Sequence, residues 1–397
     1  MRESQNREYI IQYRIPFNKV VCMGRERDYV GDALTRSGLA ADGYYSEQAR
    51  VVLEAALGAP MVLLTTSCSD ALEMCALLLD IQPGNEVIVP SFAFVTVAGA
   101  FALRGARIVF ADIRPDTLNI DERKLAPLVS PRTRAIVVVH YAGVACEMEA
   151  IQALAIGHRI AVIEDLAHGP FAAYQGRPLG SFGTLACLSF HETKNFSCGE
   201  GGALVVNDPH LRCRAEIVHQ KGTDRTRFLA GEVDKYTWRD LGGSFAPSDL
   251  LAAFLLGQLE TRQTIQARRA QIWRRYDEGL RDWATTWGVK RPVIPTHCDP
   301  AWHAYYLVMP GLEARDGLIA FLKARGILAV FHYAPLHLSA MGQRQGGRPG
   351  SCPVTERVAS CLVRLPFFTM LSTADQDKVI AAVTAYEPPK GSCNLWM

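Results

Sequence analysis

The sequence lacks the features that define several common classes of protein. Its eleven cysteines form no Cys-x-x-Cys pair and no His/Cys cluster at zinc spacing, which argues against a zinc module. No apolar run approaches the roughly 18 residues that a membrane-spanning helix requires. There is no internal repeat and no block of five or six like charges, and the net charge is +2. No strong electrostatic field therefore favours nucleic acid or an anionic membrane as a partner.

A secretory signal is also missing from the start of the sequence. Residues 1–13 are polar and charged, without the apolar segment of a signal peptide. Cysteines such as Cys75 and Cys187 lie inside apolar runs, as small core residues do, which favours a reducing compartment. We therefore expect a soluble cytoplasmic protein, and 397 residues suffice for a large core and two domains.

Apolar segments alternate between strand and helix patterns in the first half of the chain. This alternation predicts an α/β fold, in which helices cover both faces of a mostly parallel sheet. The ligand site of such a sheet lies at the carboxyl ends of its strands. The predicted strands span residues 61–64, 86–89, 107–111, 135–140, 160–163, 185–190 and 203–206.

The second half predicts a different organisation. We expect a long ordered loop over 221–243, an unbroken helix from 248 to about 283, and then a small α+β domain. That domain is predicted to contain strands at 302–308 and 328–331, helices at 313–325 and 356–362, and a mobile loop at 341–350. The predicted domains are a flexible leader (1–14), a large α/β domain (15–247), a linking helix with the small domain (248–386), and a tail (387–397).

Lys194 and Asp165 each follow a predicted core strand. A lone loop lysine is usually solvated, so Lys194 by itself indicates little. A partly desolvated lysine is, however, a nucleophile toward carbonyls. A lysine and an acid at the ends of neighbouring strands match the needs of pyridoxal 5′-phosphate (PLP), because the lysine binds its aldehyde and the acid keeps its pyridine nitrogen protonated.

Three further features add to this pattern. The hydroxyl-rich turn at 65–70 leads into a helix, whose free N–H groups attract anions, although Ser and Asp are also ordinary helix caps. Phe94 follows the strand at 86–89 and is either a ring that stacks on a flat cofactor or a core residue. Ser189 offers a hydroxyl beside Lys194.

Several long stretches of the sequence resemble those of the DegT/DnrJ/EryC1/StrS family of sugar aminotransferases. The resemblance extends from about residue 15 to 386 and implies the fold type I architecture of PLP-dependent transferases, with a mixed, mostly parallel sheet. The stretches that carry it are residues 15–18, 78–84, 139–148, 189–195, 233–240 and 330–333.

The resemblance implies a role for each of seven residues at the cofactor. Lys194 is expected to bind PLP covalently, Asp165 to pair with the pyridine nitrogen, and His168 to pack near the ring. Phe94 stands where the family stacks an aromatic residue on the cofactor. The residues at the family's phosphate positions are Ser69, Asp70 and Ser189.

The resemblance also implies the reaction and the partners. The donor is expected to be L-glutamate and the acceptor C4 of dTDP-4-keto-6-deoxyglucose, which gives dTDP-4-amino-4,6-dideoxygalactose for surface polysaccharide. Basic residues of 221–239 are candidates for binding the nucleotide, and a polar cluster on the small domain is predicted to close over the sugar. The members of that cluster are His332, Tyr333 and His337.

A homodimer is expected, because fold type I enzymes build their sites at a subunit interface. Many relatives contribute an asparagine to the partner's site through a Gly-Tyr-Asn-Tyr-Arg stretch, which is replaced here by residues 242–246, Gly-Gly-Ser-Phe-Ala. Ser244 is the candidate substitute for that asparagine.

Three alternative functions remain open from the sequence. The first is amination of another keto position, such as C3, or of another nucleotide sugar. The second is a PLP-dependent sugar dehydratase, although such relatives carry histidine at the position of Lys194. The third is a non-catalytic regulator or scaffold, against which the intact lysine, acid and serine set argues.

Overall fold

The computed structural model describes residues 13–36 and 38–389. The predicted leader and tail lie almost entirely outside these residues. Within the described chain, no helix combines the length and the apolar character that crossing a membrane requires.

The described residues form thirteen α-helices and twelve strands. In chain order the helices are α1 (Glu26–Thr35), α2 (Tyr44–Leu57), α3 (Cys68–Leu78), α4 (Thr96–Ala102), α5 (Met148–His158), α6 (Arg212–His219), α7 (Arg225–Leu229), α8 (Asp249–Glu260), α9 (Arg262–Trp287), α10 (Leu312–Lys323), α11 (Ala340–Arg344), α12 (Pro353–Cys361) and α13 (Thr373–Thr384). The strands are β1 (Val62–Thr65), β2 (Glu86–Pro90), β3 (Arg107–Ala111), β4 (Thr133–Val139), β5 (Ala161–Asp165), β6 (Ala173–Tyr174), β7 (Arg177–Pro178), β8 (Leu185–Ser189), β9 (Gly202–Val206), β10 (Cys298–Asp299), β11 (Tyr306–Val308) and β12 (Leu362–Arg364).

A seven-stranded sheet with the order β1-β9-β8-β5-β4-β2-β3 organises the first half of the chain. Neighbouring strands from β8 to β3 are parallel, whereas β9 is antiparallel to both β8 and β1. Successive residues of each strand enter separate apolar cores on the two faces, as Ile136 and Val137 do in β4. This two-sided burial explains the continuous apolar runs in the sequence. The predicted mostly parallel α/β sheet is confirmed.

A third apolar core is formed mainly by α9, α10, α13 and the β11–β12 pair. Ile15 is buried in it and exchanges backbone hydrogen bonds with Gly326 and Leu328, although the prediction placed Ile15 in the large domain. Helix α8, part of the predicted linking helix, packs on α1 and α2 against the large sheet. The boundary at residue 247 stays a prediction, and these two elements pack across it.

The predicted unbroken helix from 248 to 283 is wrong, because the chain turns at Thr261 between α8 and α9. The hydroxyl of Thr261 donates to the carbonyls of Gly257 and Gln258, which competes with continuation of the helix. The turn lets α8 bury its apolar face at the large sheet, while α9 beyond Ile265 buries its own in the third core.

The structure contains less strand in the small domain than the sequence predicted. The segment 328–331 is not a strand, since only Val330 forms a bridge, with Arg364. Of 302–308, only β11 is extended and paired. The segment 341–350, predicted to be a mobile loop, begins with most of α11, and α7 lies within the predicted loop 221–243.

Gly202 brings the start of α3 close to the sheet. It pairs with Thr65 of β1 and with Ser189 of β8. A Cβ atom at this position would lie 2.4 Å from the carbonyl carbon of Ser67 and 2.5 Å from the nitrogen of Cys68. Only glycine permits this approach, which sets the end of β8 beside the first turn of α3.

Replacing Gly202 with alanine should therefore lower the free energy of unfolding by about 1–3 kcal/mol, because backbone atoms must move to accept the methyl group. Urea unfolding of the purified protein measures this change. Gly99→Ala is the matched control, because a Cβ atom added to this glycine of α4 would have no other atom within 4 Å. This change should leave the stability unaltered or raise it by up to about 1 kcal/mol. Unchanged stability of Gly202→Ala would contradict the proposed close approach.

Candidate active site

A cavity of about 750 Å³ lies where β5, β8 and the start of α3 meet segments from the C-terminal half. Of the ten predicted site residues, eight line it: Lys194, Asp165, His168, Ser189, Ser69, Phe94, His332 and Tyr333. Asp70 and His337 do not line the cavity. Ser67, which belongs to the predicted hydroxyl-rich turn at 65–70, also lines the cavity, as do His303 and Arg364, which were not predicted.

Lys194 lies in the turn that follows β8. Its backbone N–H donates to the carbonyl of His191 (2.9 Å), and Phe190 exchanges backbone bonds with Gly201 and Cys198, which pins both ends of the turn. The side chain enters the cavity, where burial lowers the pKa of the ammonium group and Asp165 only partly opposes this effect. More of the amine is therefore neutral and nucleophilic than in a solvated lysine.

Asp165 is the last residue of β5 and is buried. One carboxylate oxygen accepts the N–H of Ala167 (2.8 Å), and among the described residues the other has no hydrogen-bond partner. Burial raises the pKa of Asp165, while the Ala167 N–H and the charge of Lys194 act in the opposite direction. No ion pair joins Asp165 to Lys194. A cationic N–H donor placed in the cavity would supply the partner that this carboxylate lacks.

The first turn of α3 lines the cavity and is the candidate anion site. Ser67 caps the helix by accepting the N–H of Asp70 (3.1 Å). Ser69 and Ser189 line the cavity beside this turn, and the helix N-terminus attracts negative charge. The Asp70 carboxylate instead accepts a hydrogen bond from Thr66. Because its N–H and carboxylate are both engaged locally, we leave Asp70 out of the proposed phosphate site.

Backbone contacts determine the tautomer of His168. Its Nδ1 accepts the N–H of Ala142 (3.3 Å), and burial together with the charge of Lys194 lowers its pKa well below the usual range. The neutral ring must therefore carry its hydrogen on Nε2, which donates to the hydroxyl of Tyr333 (3.3 Å). The sequence predicted His168 near the cofactor but contained no signal for this link to Tyr333.

His303 stacks on His168 with ring centres 4.1 Å apart, and sequence reasoning missed it. Asn195 donates to the carbonyl of Ala301 (2.6 Å), so its amide oxygen accepts from Nδ1 of His303 (2.9 Å). Because Asn195 follows Lys194, this bond ties the lysine turn to the C-terminal half. The only sequence signal was the position of Asn195 within the stretch 189–195.

The two predicted sugar-binding histidines have different surroundings. His332 lines the cavity, and its Nδ1 lies 3.0 Å from the hydroxyl of Tyr141. His337 is fully buried, with its ring nitrogens bonded to Ser91 (2.6 Å) and Glu356 (2.9 Å). Both hydrogen-bonding atoms of the His337 ring are occupied, so we leave it out of the proposed site.

These groups fit the parts of PLP. Lys194 offers an amine to the aldehyde, and Asp165 offers an unpartnered oxygen to the pyridine nitrogen. The start of α3, with Ser69 and Ser189, offers an anion site to the phosphate. Phe94 is 56% exposed at the cavity and is free to contact a flat ring.

Comparison with protein families gives a match over most of the chain. Residues 22–384 match the model described as the DegT/DnrJ/EryC1/StrS aminotransferase family. Among curated proteins, the chain is similar to the spore coat polysaccharide biosynthesis protein SpsC of Bacillus subtilis (strain 168). The two are 32% identical over 387 residues, which cover 96% of this chain and 97% of SpsC.

Solved structures share both the fold and part of the sequence. The aminotransferase TlmJ from Streptoalloteichus hindustanus is 30% identical, with a TM-score of 0.84 over 94% of this chain and 97% of TlmJ. DesV of S. venezuelae, crystallised with a ketimine intermediate, is also 30% identical, with a TM-score of 0.83 over 91% of this chain and 93% of DesV.

Proposed function

Because the chain belongs to the DegT/DnrJ/EryC1/StrS family of PLP-dependent sugar aminotransferases, we propose that it transfers an amino group from L-glutamate to C4 of dTDP-4-keto-6-deoxyglucose. The product is dTDP-4-amino-4,6-dideoxygalactose. The observation that carries the chemistry is that Lys194 and Asp165 line one cavity without forming an ion pair. The choice of sugar rests on the sequence stretches that resemble such enzymes.

Four residues of the site have separate chemical roles in the proposed reaction. When bound, PLP supplies a ring that withdraws electrons from the reacting carbon. Asp165 holds the proton on the ring nitrogen, and Ser69 and Ser189 bind the phosphate at the start of α3. The neutral Nζ of Lys194 accepts the proton from the amino-bearing carbon of the donor. In the second half-reaction it returns a proton to the sugar carbon.

Polar residues from the C-terminal half suit a sugar substrate. His332 and Tyr333 line the cavity and bring an imidazole and a phenol to it. Because His168 donates to the Tyr333 oxygen, the phenol keeps its own hydrogen for another acceptor. A site that must satisfy buried polar groups rejects analogues lacking the matching hydroxyl much more strongly than an apolar pocket does.

The competing functions differ in testable ways. Amination at C3, or of another nucleotide sugar, uses the same residues and differs only in how the sugar is held. A dehydratase is disfavoured because Lys194 is present and its amine is partly buried. A non-catalytic role leaves the unpartnered oxygen of Asp165 without an explanation.

The purified enzyme, supplied with PLP and L-glutamate, should convert dTDP-4-keto-6-deoxyglucose to the 4-amino product, identified by mass and by its configuration in NMR spectra. Lys194→Ala should lose at least about a hundredfold in rate, since it removes the group that moves the proton. Turnover of the 3-keto isomer alone would favour the first alternative function.

We further propose that the enzyme is a homodimer that uses the region 221–246. Within this region Trp238 is 78% exposed, and Leu229 and Tyr236 are also exposed. Clustered exposed apolar side chains mark association surfaces. The carbonyl of Phe245 accepts the N–H of Thr66 (2.8 Å), so the region adjoins the anion site at the start of α3. None of the basic residues of 221–239 lines the cavity of their own chain. Arg227 and Arg239 form ion pairs with Glu232 and Asp224, which leaves Lys221, Arg225 and Lys235 as candidates for a partner's site.

Sedimentation velocity should show a dimer for the wild type. Trp238→Glu should raise the dissociation constant of the dimer at least about tenfold, because it places a charge where a buried aromatic residue belongs. Ile156→Glu is the control, since Ile156 is 76% exposed on α5, away from the region 221–246. A fully active wild-type monomer would contradict this proposal.

A further inference from the structure

Residues 330–334, which we call the cavity segment, all line the cavity. At one end, Val330 exchanges two backbone hydrogen bonds with Arg364 (2.7 and 3.1 Å). Just beyond the other end, the N–H of Leu336 donates to the carbonyl of Ser91, the residue that follows β2 (2.9 Å). The rest of the cavity segment forms no hydrogen bond with backbone groups of the described residues. Its path therefore depends on how its two ends are held.

A second set of hydrogen bonds holds the end at Ser91. The backbone N–H of His337 donates to the Ser91 hydroxyl oxygen (3.2 Å), and Nδ1 of the His337 ring lies 2.6 Å from the same oxygen. On the other side of the ring, Nε2 lies 2.9 Å from the carboxylate of Glu356 on α12. The N–H of Gly350 also donates to that carboxylate (2.8 Å). These bonds, which we call the His337 network, connect the end of β2 to α12.

The hydrogens of the His337 network have one consistent arrangement when the ring is neutral. Burial raises the pKa of Glu356, but the hydrogen bonds from His337 and Gly350 outweigh burial and lower that pKa below its usual value. Near neutral pH the ionised carboxylate can only accept, so Nε2 carries the ring hydrogen. Nδ1 then accepts from the Ser91 hydroxyl, whose oxygen accepts from the His337 backbone. A buried polar network that is satisfied in this way holds its members in one geometry.

Serine, histidine and glutamate are also the members of a hydrolytic triad, but their surroundings here exclude that role. Ser91 and His337 are both fully buried, and neither lines the cavity. The nucleophile of a triad must reach its substrate. The hydroxyl of Ser91 is enclosed by protein, so the His337 network acts on what it holds in place and not on a substrate.

A neighbouring contact shows that α12 is held to the large sheet without the His337 network. Asp112, directly after β3, accepts the backbone N–H of Thr355 (2.9 Å) and its hydroxyl (3.0 Å). Thr355 is also fully buried. This contact joins α12 to the sheet with no bond to residues 330–337. Attachment of α12 therefore does not account for the bonds between His337 and Ser91, which lie next to the cavity segment in the chain.

The cavity segment carries the two side chains that suit a sugar. The Tyr333 hydroxyl accepts from His168 (3.3 Å), and the ring of His332 lies 3.0 Å from the hydroxyl of Tyr141. Hydrogen bonds of this length are lost after a small displacement. A misplacement of about 1 Å, even one that begins outside a site, can cost on the order of a hundredfold in rate.

We infer that the hydrogen bonds of His337 to Ser91 and Glu356 fix the position of the cavity segment. Through this segment they place His332 and Tyr333 for the sugar acceptor. His337 is a positioning residue, because it does not reach the cavity. This inference rests on the proposed function and extends it by naming the groups that set the acceptor contacts.

Ser91→Ala removes the hydroxyl but keeps the backbone bond to Leu336. In single turnovers of enzyme that L-glutamate has already converted, its efficiency toward the keto-sugar should fall about 10- to 100-fold, while the glutamate half-reaction stays within about twofold of the wild type. Ser91→Cys keeps a weak donor at the same place and should recover part of the loss. Thr355→Val is the control, since it removes the buried hydroxyl bond to Asp112 and should leave both half-reactions unchanged.

Amide hydrogen exchange tests the positioning without any substrate. The amide of Leu336 keeps its own acceptor in Ser91→Ala, so faster exchange there reports a looser segment and not the mere loss of a bond. We expect its exchange to be at least about tenfold faster than in the wild type, with no change in the amides of β4 and β5.

Three results would each overturn the inference. They are unchanged exchange of the Leu336 amide in Ser91→Ala, an equal loss in both half-reactions of that variant, and the same loss toward the sugar in Thr355→Val. If the wild type aminates no nucleotide sugar, but Ser91→Ala shows the expected local increase in exchange, only the proposed acceptor fails.

Discussion

A carboxylate and an amine are both withdrawn from water at the ends of adjacent strands without neutralising each other, and the rest of the site depends on this constraint. β5 and β8 are neighbouring parallel strands. Asp165 is the last residue of β5, and Lys194 lies in the turn that follows β8. Burial raises the pKa of the acid and lowers that of the amine. Unsatisfied buried ionisable groups are costly. A ligand that brings a cationic nitrogen to Asp165 and an aldehyde to Lys194 would satisfy both groups.

The C-terminal half of the chain completes the cavity, although it contributes little to the large sheet. His303 bonds to Asn195 next to the reactive lysine, and Tyr333 accepts a hydrogen bond from His168. Arg364 enters from β12 with an unmatched charge. In the proposed function, the large α/β part of the chain supplies the groups that hold the cofactor, whereas the C-terminal half supplies groups suited to distinguish substrates.

Local patterns predicted the sheet because its strands are buried on both faces and alternate with helices, a signal that each short segment carries by itself. The break at Thr261 was missed, since it depends on two helices facing different cores. His337 matched a polar cluster in sequence, but its ring bonds to Ser91, far away along the chain. Arg364 was missed for the same reason: a lone arginine in an apolar stretch reveals nothing about which acceptors surround it after folding.

The central claim is that, among the lysines of residues 13–36 and 38–389, Lys194 is the one that lines the cavity and is prepared to react with the cofactor. Borohydride reduction of the PLP-loaded protein, followed by peptide mapping, tests it most directly. The account predicts a single cofactor adduct, on Lys194, because burial beside Asp165 makes this amine reactive. An adduct on Lys221 or Lys235 instead, or none at all in protein that has bound PLP, would contradict it.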